Sequence, residues 1–229
     1  MSQPGVHMVI AIDGPAASGK SSTSQWVAEK LGYLHVDSGS LYRALTAALL
    51  RSGRPPDRWT PTAMVGEGAR ISLRPEATSF SALINGTRAE EEIRGTAVTE
   101  HVSLVARVPE VRAWVNARVR EAAESHDVVV DGRDMGTAVF PTAPLKIFLV
   151  ADPWERARRR LTQRLGRRPS DEEIAEETDL IVQRDAKDAT QTVQAKDAVL
   201  LDTTYLTQAE QVERIVALAR AVSHRPDAT

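Results

Sequence analysis

Five short apolar segments punctuate the chain, at residues 8–12, 33–36, 128–130, 146–150 and 198–201. Most run continuously apolar rather than alternating, the pattern of parallel strands covered on both faces. Four of the five run into an acidic residue, Asp13, Asp37, Asp131 or Asp202. Polar groups at the carboxyl ends of parallel strands sit where open α/β sheets bind ligands. Helical stretches fill the intervals. Residues 20–31 follow the first strand and stop at Gly32, and residues 41–51 follow the second and stop before Gly53. Pro109 opens an amphipathic segment over 110–124, with Val111, Val115 and Val119 on one stripe. Asp152-Pro153 caps a helix through Leu165, and Ser170-x-x-Glu173 and Thr207-x-x-Glu210 are capping-box patterns, the second opening a last helix to about Val222. The tail from Ser223 is expected to fray.

Residues 54–108 break this rhythm. Thr60-Pro61 starts a short helix, residues 69–73 and 80–84 predict short strands, and Asn85-Gly86 signals a tight turn between strands. The stretch is expected to be an insert packed beside the parallel sheet. With 229 residues, the chain fits a single domain with a core over 1–53 and 109–229. The fold class is α/β.

Composition narrows the chemistry. The chain is 42% hydrophobic and 26% charged, enough apolar content for a buried core. Its 29 basic and 31 acidic residues leave a net charge of −2, without the basic footprint of a nucleic-acid binder. The absence of cysteine excludes disulfides, thiol nucleophiles and cysteine-ligated metal sites. No apolar run approaches the roughly 20 residues that cross a bilayer, and the first seven residues lack the pattern of a signal peptide. A cytoplasmic protein is expected, with no membrane partner.

The strongest motif is Gly14-Pro15-Ala16-Ala17-Ser18-Gly19-Lys20-Ser21, a match to G-x-x-x-x-G-K-[ST] placed after a strand and opening a helix. Backbone N–H groups of such a loop curl around a phosphate, and the following helix adds the positive end of its dipole. Lys20 is expected at the β- and γ-phosphates, Ser21 on Mg²⁺, and Ser22 beside them in the ATP site. The loop alone leaves open a switch, a motor or a small-molecule kinase. Ala17 stands where a glycine is common, a substitution tolerated if its φ is negative.

Two further clusters follow strands. Asp37-Ser38-Gly39-Ser40-Leu41-Tyr42-Arg43 brings Ser38 and Arg43 to the ligand edge, where Arg43 could grip a second phosphate; a surface arginine one turn into a helix is the plainer alternative. Asp131-Gly132-Arg133-Asp134-Met135-Gly136-Thr137 sets three charges within four residues. They suit either a structural ion pair or a ligand, with Arg133 on phosphate and a carboxylate on a base or sugar. Asp131, after three valines, also resembles a Walker B aspartate that holds Mg²⁺ directly or through water.

Together these motifs resemble the bacterial cytidylate kinases, P-loop nucleoside monophosphate kinases. Residues 14–21, 37–43, Glu92-Ile93-Arg94, 108–112, 131–137, 139–141, 146–149 and Gln183-Arg184-Asp185 occur in that family's order and spacing. The resemblance covers residues 8 to about 220. It implies a P-loop NTPase-type three-layer fold with a five-stranded parallel sheet, an acceptor-binding insert at about 54–108 and a short lid at about 156–178. The activity implied is ATP-dependent phosphorylation of CMP and dCMP, with ATP as co-substrate and Mg²⁺ as cofactor. A P-loop kinase for UMP or AMP, or a non-catalytic nucleotide-binding module, is the alternative. By the same resemblance Ser103, Arg112 and Asp134 would read the cytosine edge, and Arg43 and Arg133 the acceptor phosphate. Arg184 and Asp188 would contact the sugar, and Ser38 and Tyr42 would line the pocket. Gln191 departs from the pattern, standing where the family usually has a further arginine. Weaker acceptor binding, compensation by Lys187 or Lys196, and a shifted preference are the open alternatives.

An arginine-rich stretch, with Arg156, Arg158, Arg159, Arg160, Arg164, Arg167 and Arg168, precedes an acidic run from Asp171 to Asp179. Most of these charges fit two solvated helix faces. In the family, arginines of this region close over ATP; Arg156 and Arg160 share a face at i, i+4, with Arg159 as the alternative. Lys20, Arg133, Arg156 and Arg160 are thus the expected catalytic groups. A monomer acting on small-molecule nucleotides is expected.

Overall fold

The computed structural model describes residues 7–223. All but Ser223 of the tail expected to fray, and all but His7 of the first seven residues, lie outside them. The chain runs β1 (Val9–Asp13), α1 (Lys20–Leu31), β2 (Leu34–Asp37), α2 (Ser38–Arg51), α3 (Pro61–Glu67), β3 (Ile71–Pro75), β4 (Phe80–Ile84), β5 (Thr87–Arg88), α4 (Glu90–Arg94), α5 (Thr96–Ala106), α6 (Pro109–Ala123), β6 (Val128–Gly132), β7 (Leu145–Val150), α7 (Pro153–Leu165), α8 (Asp171–Asp188), β8 (Val199–Asp202) and α9 (Gln208–Ser223). A π-helical turn, Met135–Val139, joins β6 to β7. No helix among the described residues is long and apolar enough to cross a membrane.

Five strands form one parallel sheet in the order β2-β6-β1-β7-β8. Their continuous apolar character has a direct cause: alternate side chains enter two different cores. Ile10, Ile12, Val129 and Ile147 pack with Val27 and Ala28 of α1 and with Val212, Ile215 and Val216 of α9. Val9, Ala11, Val128 and Val130 pack on the opposite face with Leu41 and Leu45 of α2 and the Val111–Val115–Val119 stripe of α6. Each such side chain contributes about 1.5–3 kcal/mol when fully buried. The result is the expected three-layer α/β fold with a five-stranded parallel sheet.

All five core strands appear, most of them extended at the carboxyl end so that Asp13, Asp37, Asp131 and Asp202 fall inside the ladder. Register brings three strand ends together, with Asp37 opposite Asp131 and Asp13 opposite Gly132. The connection from β1 to β2 crosses to one side of β1 and that from β6 to β7 to the other, which opens a crevice at this edge. Helix α2 begins at Ser38 rather than residue 41, because Asp37 Oδ1 accepts Ser40 N–H at 3.2 Å and caps the first turn.

Residues 71–88 form a separate antiparallel sheet, β3-β4-β5. Asn85 and Gly86, at φ 51° and 75°, supply the left-handed pair that a two-residue hairpin turn needs. The hydrophobic residues of this region, Ile71, Ala82 and Ile84 with Ile93, Val98 and Val102, continue the core formed by α2 and β6. Helices α4 and α5, which periodicity did not predict, complete it. Helices α7 and α8 share a smaller core of Ala157, Leu161, Ile174 and Ile181. The Asp152 cap and both capping boxes are formed.

Candidate active site

The loop between β1 and α1 is shaped by glycines at two points. A side chain at Gly14 would start 2.2 Å from the Leu149 carbonyl oxygen of β7, and Gly19 caps α1 at φ 84°. Ala17 sits at φ 56°, so the negative φ on which its tolerance was expected to rest is absent. Lys20 is buried at the start of α1, with its ammonium on the Pro15 carbonyl (2.6 Å) and near Ser18 Oγ (3.4 Å). Burial, reinforced by Arg133, pushes its pKa well below the ordinary value, against the pull of Asp131 and Asp13.

The loop is held from outside by an ion pair. Ala16 N–H donates to Asp185 Oδ1 (3.0 Å), and Arg156 Nη1 donates to the Ala16 carbonyl (2.8 Å) and to Asp185 Oδ2 (2.6 Å). Arg156 Nε is taken by the Ala151 carbonyl at 3.0 Å. Arg156 was expected to close over ATP beside Arg160; it is 4% exposed and lines neither of the two cavities beside the loop. Its face points inward because α7 packs there against the loop. Arg160 does line the second cavity, 3.1 Å from Glu177. Arg159 lines it too, donating to the Thr203 and Thr204 carbonyls at 2.5 and 2.9 Å.

At the strand ends, Asp131 links three elements. Its Oδ2 accepts Ser21 Oγ at 2.8 Å, its Oδ1 meets His35 Nε2 at 2.6 Å, and its backbone carbonyl accepts Ser38 Oγ at 2.7 Å. Burial alone would raise the Asp131 pKa, but the His35 hydrogen bond and charge, Lys20 and Ser21 outweigh it and hold the group below its ordinary value. His35, near the middle of β2, thus bonds across to β6. Burial and the charge of Asp131 push Asp37 upward. The juxtaposed Ser21 hydroxyl and ionised Asp131 carboxylate suit Mg²⁺, which takes one or two protein oxygens and completes its shell with water and phosphate. Asp13 faces the other way, accepting Met135 N–H (2.8 Å) and Gly136 N–H (2.7 Å) at the start of the π turn.

A cavity of about 660 Å³ opens beside this edge. Residues 16–22 of the loop line it together with Ser38, Tyr42, Arg43, Ser103, Arg112, Arg133, Asp134, Arg184, Asp188 and Gln191, while Gly14 and Pro15 line neither this cavity nor the next. A second cavity, about 990 Å³, lies across the loop between α7 and the segment entering α9, and shares Ala17, Gly19, Ser22, Arg43, Gln163 and Arg184 with the first. The two therefore meet at the phosphate loop.

The wall facing the loop is cationic. Arg133 and Arg184 flank one carboxylate, Asp188, at 3.5 and 3.8 Å. Their Nε atoms are buried without a hydrogen-bond partner among the described residues. Burial, then Arg133, bring the Arg184 pKa down to about 10. Arg43 rests on the Ile93 carbonyl (3.2 Å) and Thr99 Oγ1 (3.1 Å). Farther along, Arg112 pairs with Asp134 and donates to Gln191 Oε1 at 2.9 Å. Tyr42 is buried beside this pair, its pKa pushed up to about 12 by that burial. Lys187 and Lys196 are exposed and line neither cavity, so neither takes up a charge in place of Gln191. Asp13, Asp185 and the second cavity were not assigned from sequence. Asp13 was visible there only as one of the strand-end acids, and Asp185 only as part of a motif.

A family model described as Cytidylate kinase matches residues 10–221. The protein named Cytidylate kinase from Geobacillus kaustophilus is 45% identical over 215 residues, covering 91% of this chain and 95% of its own. Its namesake from Limosilactobacillus reuteri is 40% identical over 210 residues, covering 90% of this chain and 92% of its own. Among solved structures, an uncharacterized protein from Eubacterium ventriosum aligns with TM-score 0.51 at 11% identity over 96% of this chain and 100% of its own, a likeness of fold alone. A match that runs from the first strand to the last helix, with relatives at this identity over nine-tenths of the chain, settles the lineage: the chain belongs to the cytidylate kinase family.

Proposed function

We propose that this protein transfers the γ-phosphoryl group of ATP directly to the phosphate of CMP or dCMP, giving ADP and CDP or dCDP. The observation that carries this reading is the first cavity itself. The phosphate loop forms one wall, and Arg133 and Arg184, whose buried Nε groups face the one Asp188 carboxylate at 3.5 and 3.8 Å without a hydrogen bond, form the other. Buried donors without a hydrogen bond are costly, and an anion in the cavity satisfies them.

The acceptor phosphate oxygen is already a nucleophile, so no general base is needed, and positioning and charge supply the catalysis. The backbone of residues 14–19 cradles the donor phosphates, Lys20 leaves the Pro15 carbonyl for them, and Ser21 and Ser22 close the cradle. Ser21 and Asp131 would hold Mg²⁺, directly or through water, and the ion would neutralise charge on the transferred group. Arg43, Arg133 and Arg184 hold the acceptor phosphate, Asp188 takes the sugar hydroxyls, and Ser38 and Tyr42 shape the floor. Arg112 and Asp134 set a donor beside an acceptor, the complement of cytosine N3/O2 and N4, with Ser103 at the same edge. Arg160 stabilises charge from the α7 side, and Arg156 supports the loop backbone instead of touching substrate. The segment at about 54–108 serves as the acceptor-binding part and that at about 156–178 as the lid; their closure excludes water, against which transfer competes.

A coupled ADP-release assay across CMP, dCMP, UMP and AMP tests this. CMP and dCMP are expected to lead, and Asp134→Ala to raise KM for CMP by on the order of 10- to 100-fold with little change for ATP. ADP release with no dependence on any monophosphate would reduce the protein to a nucleotide-binding module. A lead by UMP or AMP would refute the assignment of the base.

A further inference from the structure

Gln191 occupies the turn that ends α8. Its own N–H donates to the Asp188 carbonyl (2.9 Å), as do Thr192 N–H (3.0 Å) and Thr192 Oγ1 (3.1 Å), so its backbone is tied to the residue that Arg133 and Arg184 flank. Its side chain reaches the cavity and accepts from Arg112 Nη1 through Oε1 at 2.9 Å. A guanidinium only donates, so the amide has one possible orientation, with oxygen on Arg112.

The hydrogens of Arg112 can be accounted for individually. Of its five N–H donors, two on Nη1 go to Gln191 and, at 3.4 Å, to the Ala106 carbonyl, and one on Nη2 goes to Asp134. One hydrogen on Nη2 and the Nε–H remain for a ligand. Asp134 touches the guanidinium through a single oxygen, about which the planar group can pivot. Of the two other acceptors, the Ala106 carbonyl at 3.4 Å is a weak hold, and Gln191 at 2.9 Å supplies the strong, charge-assisted anchor that fixes the plane. A guanidinium at position 191 would instead repel Arg112.

We propose that Gln191 is a positioning residue for base selection: its amide oxygen locks Arg112 relative to Asp134, and so fixes the donor–acceptor pattern that separates cytosine from uracil. This rests on the acceptor reading given above. Cytosine presents acceptors at N3 and O2 and a donor at N4; uracil presents a donor at N3 and an acceptor at O4. A locked pair rejects uracil by leaving buried polar groups unmatched, and a pivoting one loses that discrimination.

The test compares Gln191→Met, which keeps length and removes the acceptor, with Gln191→Glu, which keeps an acceptor oxygen. The readout is the ratio of kcat/KM for CMP over UMP. In Gln191→Met the ratio is expected to fall about tenfold, the worth of one hydrogen bond to a charged group, through KM for CMP and with KM for ATP unchanged. Gln191→Glu should stay within about threefold of wild type on the same scale. An unchanged ratio in Gln191→Met, an equal loss in both variants, or parallel changes in KM for ATP and CMP would overturn the proposal. A wild type with no preference for CMP would overturn the acceptor reading first, and this inference with it.

Discussion

Replacing Asp13 by asparagine removes a buried charge while preserving side-chain size, and its effect on stability depends on pH in a calculable way. Asp13 is 3% exposed and accepts two backbone N–H groups, from Met135 and Gly136. Burial raises its pKa from 3.8 to about 6; those two hydrogen bonds pull against it, Asp134 adds to the rise and Lys20 opposes it. The folded state therefore binds this proton more tightly than the unfolded chain. The group's stabilising contribution is complete below about pH 4 and is lost as pH rises through about 6. At about 1.4 kcal/mol per pH unit, the whole change is about 3 kcal/mol, of which about 2 falls between pH 4.5 and 7. Asparagine does not titrate. It accepts one of the two N–H groups and opposes the other with its own amide hydrogens, a cost of about 1–3 kcal/mol at every pH. Wild type should thus be clearly more stable than Asp13→Asn at pH 4.5 and nearly equal to it at pH 7. Urea unfolding with linear extrapolation at several pH values measures the gap. A gap that stays constant across this range would refute the electrostatic account of Asp13.

Two further outcomes follow from the loop. Ala17→Gly relieves a left-handed alanine and should stabilise the protein by about 1 kcal/mol, read as a higher melting temperature; a lower one would contradict the φ of 56°. Arg156→Met strips the Ala16 carbonyl and Asp185 of their partner and should cost about 2–4 kcal/mol of stability, raising KM for ATP more than for CMP. Lost kcat with unchanged stability would instead put Arg156 on the transferring phosphates.

The parts of this molecule that the sequence made legible share a cause: their signals are local. The valines of β6 sit in a continuous apolar run because both faces of the sheet are covered, and Asp152-Pro153 and Ser170-x-x-Glu173 cap their helices through bonds to residues two or three positions away. The phosphate loop is equally local. What sequence left out depends on distant neighbours. Ser38-Gly39-Ser40 has poor helix propensity, yet it forms the first turn of α2 because Asp37 caps it and Ser38 bonds the Asp131 carbonyl across the sheet. Arg156 and Arg160 share a face by periodicity, but only tertiary packing assigns one to the Ala16 carbonyl and the other to Glu177. Asp13 announced itself as one strand-end acid among four; that it holds a π turn 122 positions away needed the fold. Gln191 could be seen as a departure from pattern, while its bond to Arg112, 79 positions distant, could not.

Arg133 and Arg184 crowd around a single carboxylate, and this gives the cleft two kinds of sensitivity to its solvent. Attraction of a dianionic tail to clustered guanidinium groups weakens as dissolved ions screen it, over a Debye length of about 8 Å at physiological ionic strength. On the proposed reading, matching of donors to acceptors at the Arg112–Asp134 edge acts at contact distance and is nearly indifferent to that screening. Rising salt should therefore erode how tightly a nucleotide is held while leaving the choice between nucleotides almost intact, and small multivalent anions should compete for entry without favouring either base.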